Sequence, residues 1–222
     1  AASAREAGSA RVFDLINRAR GSEALSLRIL RFQTGVSPAF LTPGCGDVLY
    51  LVAGAAKLMV DGGEFEVGSD TGIFLRPGSV WSLENTGSED VVLVSSQCPD
   101  PESSQQLASG PATQTREASE LASVRLADRM RATTADRWYK VMVDRALGSD
   151  EVTQFVGAIP PGRAPDHFHE YEEAIYILAG EGQMWAGNTH TPVAPGSVIF
   201  LPRRQVHCLE NTGESELRLL GV

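Results

Sequence analysis

At 222 residues the chain is long enough for one large domain or two small ones, and with 42% hydrophobic and 21% charged residues it has the composition of a folded globular protein. Acidic side chains outnumber basic ones by 28 to 19, a net charge of −9, which is the wrong sign for a phosphate backbone and excludes nucleic acid as an expected partner. Apolar stretches such as Val48 to Ala56 are far shorter than the ~20 residues of a spanning helix, so no membrane partner is expected either. The three cysteines, Cys45, Cys98 and Cys208, are odd in number and form no CxxC pair. They predict neither a disulfide framework nor a thiolate zinc site, and with no apolar signal core in the first ten residues the expected location is the cytoplasm.

Near the N-terminus, Val12, Leu15 and Ile16 fit one or two turns of an amphipathic helix. Beyond it, Gly and Pro recur roughly every 8 to 12 residues between short runs of Val, Leu, Ile, Phe and Tyr, the punctuation of an all-β barrel. The first half predicts strands over Leu25 to Phe32, Val48 to Val52, Lys57 to Val60, Glu64 to Val67, Ile73 to Leu75, Val80 to Glu84 and Val91 to Ser95. Ser95 to Gly110 is rich in Ser, Gln, Pro and Ala and is expected to be a linker, and 118–130 fits either a short helix or an extended segment. The second half predicts strands over Trp138 to Arg145, Val152 to Ile159, Ala174 to Leu178, Gln183 to Ala186, Val198 to Leu201, His207 to Glu210 and Leu217 to Leu220.

The halves repeat. A gap-free register pairs Leu41 with His167 and Val94 with Leu220, a constant offset of 126, and places Leu83-Glu84-Asn85-Thr86-Gly87 on Leu209-Glu210-Asn211-Thr212-Gly213. The expected organisation is an N-terminal barrel over 1–95, a linker over 96–136 and a C-terminal barrel over 137–222.

Of four histidines, His167 and His169 share one strand face, Glu173 has the same parity, and His207 follows a turn at Pro202 to Gln205. Three imidazoles and a carboxylate suit one divalent ion of Mn, Fe, Co, Ni, Cu or Zn and leave positions open for substrate or dioxygen. Ile175 and Ile177 share the parity of Glu173 and would form an apolar floor. Tyr176, Trp185, Phe155 and Gln154 are candidate wall residues. Glu172 and Cys208 have the opposite parity, and His190 sits in a turn, so none of these is expected at the metal.

These residues resemble the cupin superfamily. Its first motif, Gly-x5-His-x-His-x3-Glu-x6-Gly, is matched by His167-x-His169-x3-Glu173-x6-Gly180 with Gly162 one residue nearer; its second, Gly-x5-Pro-x-Gly-x2-His-x3-Asn, is matched by Gly196-x5-Pro202-x-Arg204-x2-His207-x3-Asn211, with Arg204 in place of glycine. The resemblance implies two tandem double-stranded β-helix (jelly-roll) barrels, a bicupin whose halves mimic a dimer of single cupins and which could itself pair as a homodimer. In the 126 register Leu41, Pro43 and Trp81 replace the three histidines and Asp47 replaces Glu173, so only the second barrel is expected to hold metal, and Trp81 to fill the former cavity of the first. The implied ligand is a small molecule. The expected activity is dioxygenase-like oxidation of a chelating organic compound, the alternatives being a metal-dependent lyase or isomerase, or a non-catalytic binding protein.

Overall fold

The computed structural model describes residues 4–41, 44–100, 102, 106–107 and 120–222. The chain divides into two compact units, Ala1–Asp128 with Val143–Val152, and Arg129–Met142 with Thr153–Val222. Among the described residues no α-helix occurs; the helical elements are 3-10 turns of three residues each at Arg18–Arg20, Leu126–Asp128 and Arg145–Leu147. No helix is long and apolar enough to cross a membrane.

In the first unit one sheet orders its strands Arg5–Ala7, Ala10–Ile16, Ser26–Phe32, Val91–Gln97, Asp47–Ala53, Thr71–Leu75, Ser123–Arg125. A second sheet centres on Val80–Asn85, flanked by Phe40–Leu41 and by the hairpin Ala55–Val60/Gly63–Gly68. The second unit repeats the scheme: Ala132–Thr134, Arg137–Val143, Gln154–Ile159, Leu217–Gly221, Glu173–Ala179, Val198–Leu201 in one sheet, and Gly162–Arg163, His207–Asn211, Gly182–Ala186, Thr189–Val193 in the other. All pairings described are antiparallel, and alternate residues of the two sheets face each other around the core of each unit. In the first unit that core includes Leu30, Phe32, Phe40, Leu49, Trp81 and Leu93; in the second, Ile159, Ile175, Ile177, Leu209, Leu217 and Leu219.

The expected N-terminal helix is instead the strand Ala10–Ile16, paired along Ser26–Phe32. Ala10 and Val12 alternate inward, and pairing to a neighbouring strand outweighs a helical pattern of only three apolar residues. The segment 96–136 is more than a linker: Gln106–Leu107 pairs with Phe40–Leu41, Ser123–Arg125 with Thr71–Leu75, and Ala132–Thr134 with Arg137–Val143. Of the stretch 118–130, the described part is extended and then turns at Leu126–Asp128.

Strand pairing also corrects the repeat. Gly35 pairs with Asn85 as Gly162 pairs with Asn211, and Phe40 pairs with Trp81 as His167 bridges His207. Up to this point the offset is therefore 127 (162 − 35 and 167 − 40), and it becomes 126 only by Asp47 and Glu173, which open their strands. Phe40, not Leu41, stands in the place of His167. The near spacing of Gly162 is thus shared by both units, and the first unit carries one more residue between 40 and 47. Pro43, assigned to the position of His169, lies outside the described residues.

Candidate metal centre

The site is built on the bridge between His167 and His207, whose backbone N–H groups each donate to the other's carbonyl, at 3.0 and 2.9 Å. A directly opposed antiparallel pair carries its side chains on one face, and the ring centroids lie 4.3 Å apart. His169, two residues on, brings a third ring to 5.1 Å from His167 and 5.5 Å from His207. One ring nitrogen from each histidine lies within 4.8 Å of the others, an arrangement able to hold a metal ion. Glu173 places Oε2 3.3 Å from His169 Nε2 and 3.6 Å from His207 Nε2.

Local hydrogen bonds prepare two of the rings. His167 Nδ1 lies 3.1 Å from the Pro165 carbonyl and His207 Nδ1 2.8 Å from that of Gln205. A carbonyl can only accept, so both rings carry their proton on Nδ1 and leave Nε2 with its lone pair. Burial, and next the charges of His167 and His207, hold His169 below the usual histidine range; burial likewise lowers His207, against the Gln205 hydrogen bond, which raises it. These imidazoles are neutral at pH 7, the form that coordinates. Burial pushes the Glu173 carboxyl up to about 7, and its Oε2 is buried without a hydrogen-bond partner. An orphaned carboxylate oxygen beside three imidazoles lacks one thing, a positive charge.

A departure from the second motif is explained by the backbone. Arg204 has φ of 63°, the left-handed region where glycine is at ease, and its N–H donates to the His169 carbonyl at 2.7 Å. Its guanidinium turns outward to Glu170, with Nε 2.8 Å from Oε2, so it adds no cation to the site. Cys208 is buried outside the histidine cluster and accepts from Arg163 Nε at 3.2 Å. His190 is exposed and lies against Trp185, over whose ring Arg163 also sits; Glu172 is half-buried outside the cluster.

The histidines and Glu173 open onto a cavity of about 400 Å³. Ile175, Leu209 and Phe155 line it; Ile177 is fully buried in the core behind, and Tyr176, Gln154 and Trp185 do not reach it. Sequence reasoning missed Tyr171, stacked on His169 at 4.9 Å, and the hairpin residues Thr134, Arg137 and Tyr139. The hairpin lies in the segment expected to be linker and at its edge, and only the repeat of Arg5–Ala7/Ala10–Ile16 at offset 127 signals it.

In the first unit no imidazole is present at the corresponding place. Phe40 and Trp81 fill it, and Asp47 is closed in an ion pair with Arg28, Oδ2 to Nη2 3.6 Å, while Oδ1 accepts from Ser95 Oγ at 2.5 Å.

Comparison with known proteins agrees with this geometry. The Cupin domain family matches residues 155–222. The oxalate-binding protein of Thermotoga maritima is 39% identical over 66 residues, 29% of this chain and 54% of that protein, and auxin-binding protein 1 of Arabidopsis thaliana is 30% identical over 85 residues, 34% and 43%. The chain thus spans about half the length of these relatives. Among solved structures, oxalate decarboxylase of Bacillus subtilis, in a mutant form, superposes with a TM-score of 0.76 at 16% identity, over 99% of this chain and 74% of that one. Oxalate decarboxylase of Lactobacillus farciminis, in complex with formate, gives 0.77 at 14%, over 99% and 82%. At such identities the structures speak for the fold, while the family match falls on the half that bears the histidines. Residues 155–222 thus carry a Cupin domain, in the unit that bears the three clustered histidines.

Proposed function

We propose that the second unit is a mononuclear metal site in which His167, His169, Glu173 and His207 hold one divalent transition ion, and that it acts on a small chelating organic anion in an oxygen-dependent, dioxygenase-type reaction. The observation that carries the metal is the buried, unpartnered Oε2 of Glu173 among imidazoles with free Nε2 atoms. When bound, the ion supplies positive charge, exchangeable positions for a chelating anion and, for Mn or Fe, electrons to exchange with dioxygen. The chain's part is to fix three imidazole donors and to exclude water with Ile175, Leu209 and Phe155. Apart from the four proposed ligands, the ionisable groups lining the cavity are Arg137, Tyr139 and Tyr171. Among the described residues lining the cavity no carboxylate or imidazole is left over as a general base, which favours oxygenation over lyase or isomerase chemistry. We read the two units as copies of one barrel, of which the first has exchanged its ligands for apolar packing and serves as scaffold.

A non-catalytic binding role is the second reading, favoured by the sequence match to an oxalate-binding protein. Protein purified without nickel resin should contain one transition-metal ion per chain, and a His167→Ala/His169→Ala variant close to none; a content near two overturns the single-site reading. The Bacillus subtilis neighbour has Mn(II) centres, so reconstitution starts with Mn(II) and Fe(II). Oxygen uptake is then followed with enols, catechols and diketones. Turnover only under anaerobic conditions selects the lyase or isomerase, and binding without turnover selects the binding protein.

A further inference from the structure

The two units differ most in what fills them. Gly157 pairs with Leu219 as Leu30 pairs with Leu93, and Ile159 pairs with Leu217 as Phe32 pairs with Val91. His207 stands in the place of Trp81. Each of these three exchanges removes bulk from the second unit. The hairpins follow suit: Ala7 opposes Ala10 inside the first core, whereas the corresponding pair, Thr134 and Arg137, faces the cavity. Where the first unit is packed solid by Leu30, Phe32 and Trp81, the second keeps about 400 Å³ open beside the histidines.

We infer that this space takes the body of the ligand, which is an amphipathic chelator: an oxygen-bearing head at the histidine end and an aryl or alkyl body against Phe155, Ile159, Leu209 and Leu219. The inference rests on the metal-anchored reading above and adds to it the ligand's size and polarity. A dianion such as oxalate is all head. It has no apolar surface to set against these walls, and a pocket binds by covering apolar area while a few polar groups fix orientation. A second anionic end would have to compete with Asp136, whose Oδ1 lies 3.2 Å from Nε of Arg137, the guanidinium among the described lining residues. Gly157 and Ile159 therefore set the length of body that fits. A Cβ added at Gly157 would lie 3.6 Å from both Leu219 and Phe155, ordinary contact, so the backbone accepts a side chain there and a larger one projects into the cavity.

The test is calorimetric titration of the Mn(II)-loaded protein with oxalate, pyruvate and phenylpyruvate, the last two sharing one head and differing in body. Phenylpyruvate should bind at least ~10-fold more tightly than pyruvate, as burial of an aromatic ring implies. Gly157→Leu, which copies Leu30, should abolish that advantage, with Mn(II) content measured to show that the histidine cluster still loads. Should it fail to fold, Ile159→Phe, which copies Phe32, plugs the same space. Equal affinities for the two oxo acids, tighter binding of oxalate than of phenylpyruvate, or an advantage that survives both substitutions overturns the inference. A flat series that still requires Mn(II) defeats only the apolar body; affinities indifferent to removal of Mn(II) defeat the metal-anchored reading itself.

Discussion

Phe40 and Trp81 pack as a tilted pair with ring centroids 4.9 Å apart in the first unit where His167 and His207 lie 4.3 Å apart in the second. The same cross-strand pair serves packing in one place and, in the proposed site, metal ligation in the other. Trp81 is fully buried, so Trp81→Ala should lower stability by ~3–5 kcal/mol in denaturant unfolding. Its Nε1 has no hydrogen-bond partner, and Trp81→Phe should cost less. Metal content of the second unit should not change in either variant; a loss of metal from Trp81→Ala would show that the units are not independent.

Arg28 and Asp47 are both completely buried. Removing one partner of such a pair strands the other charge, so Asp47→Ala should cost ~3–5 kcal/mol, whereas an Arg28→Met/Asp47→Leu double variant should come close to the parent. A double-mutant cycle measured by chemical denaturation checks both values.

For Glu173 the pH dependence has a definite sign. Its carboxyl is raised from 4.5 to about 7 by burial, so in the metal-free protein this group contributes stability below pH 4.5 that is lost as pH rises to about 7. Glu173→Gln removes that component, which the difference between the two proteins' stability–pH curves isolates. Metal binding needs the carboxylate, so affinity should climb with pH up to about 7 and level off above it. An affinity flat from pH 5 to 8 would sink the assignment of Glu173 as a ligand.

Two left-handed residues predict opposite outcomes. Gly180 has φ of 84°, and a Cβ there would come 2.8 Å from the Glu216 carbonyl, so Gly180→Ala should cost ~2 kcal/mol or more. Arg204→Gly relieves a strained φ at the cost of one exposed ion pair and should stabilise by up to ~1 kcal/mol. Thermal melts of the two variants read the difference.

The β character and the four residues that converge at the site were legible from the spacing of the two motifs, but strand parity is not what joins them. His167 is an isolated bridge to His207, His169 lies outside any strand, and a bend at 170–171 precedes Glu173, which opens its own strand. The register of the first unit was not. A gap-free alignment held from Asp47 onward but missed the extra residue between 40 and 47, since the sequence there carries no imidazole to mark the shift, and pairing to Trp81 is what places Phe40. The cavity was half legible. Ile175 follows from parity and Phe155 from its aromatic character, whereas Tyr139 and Arg137 arrive on a hairpin whose partner strands are set by long-range pairing.

The Arg28–Asp47 pair gives the first unit a counter-cation tethered to its own backbone. Glu173 has no such tether and, in the proposed site, takes its cation from solution. A chelator can therefore withdraw charge compensation from one unit and has nothing to withdraw from the other, so EDTA should split a single unfolding transition into two, with the second unit melting first.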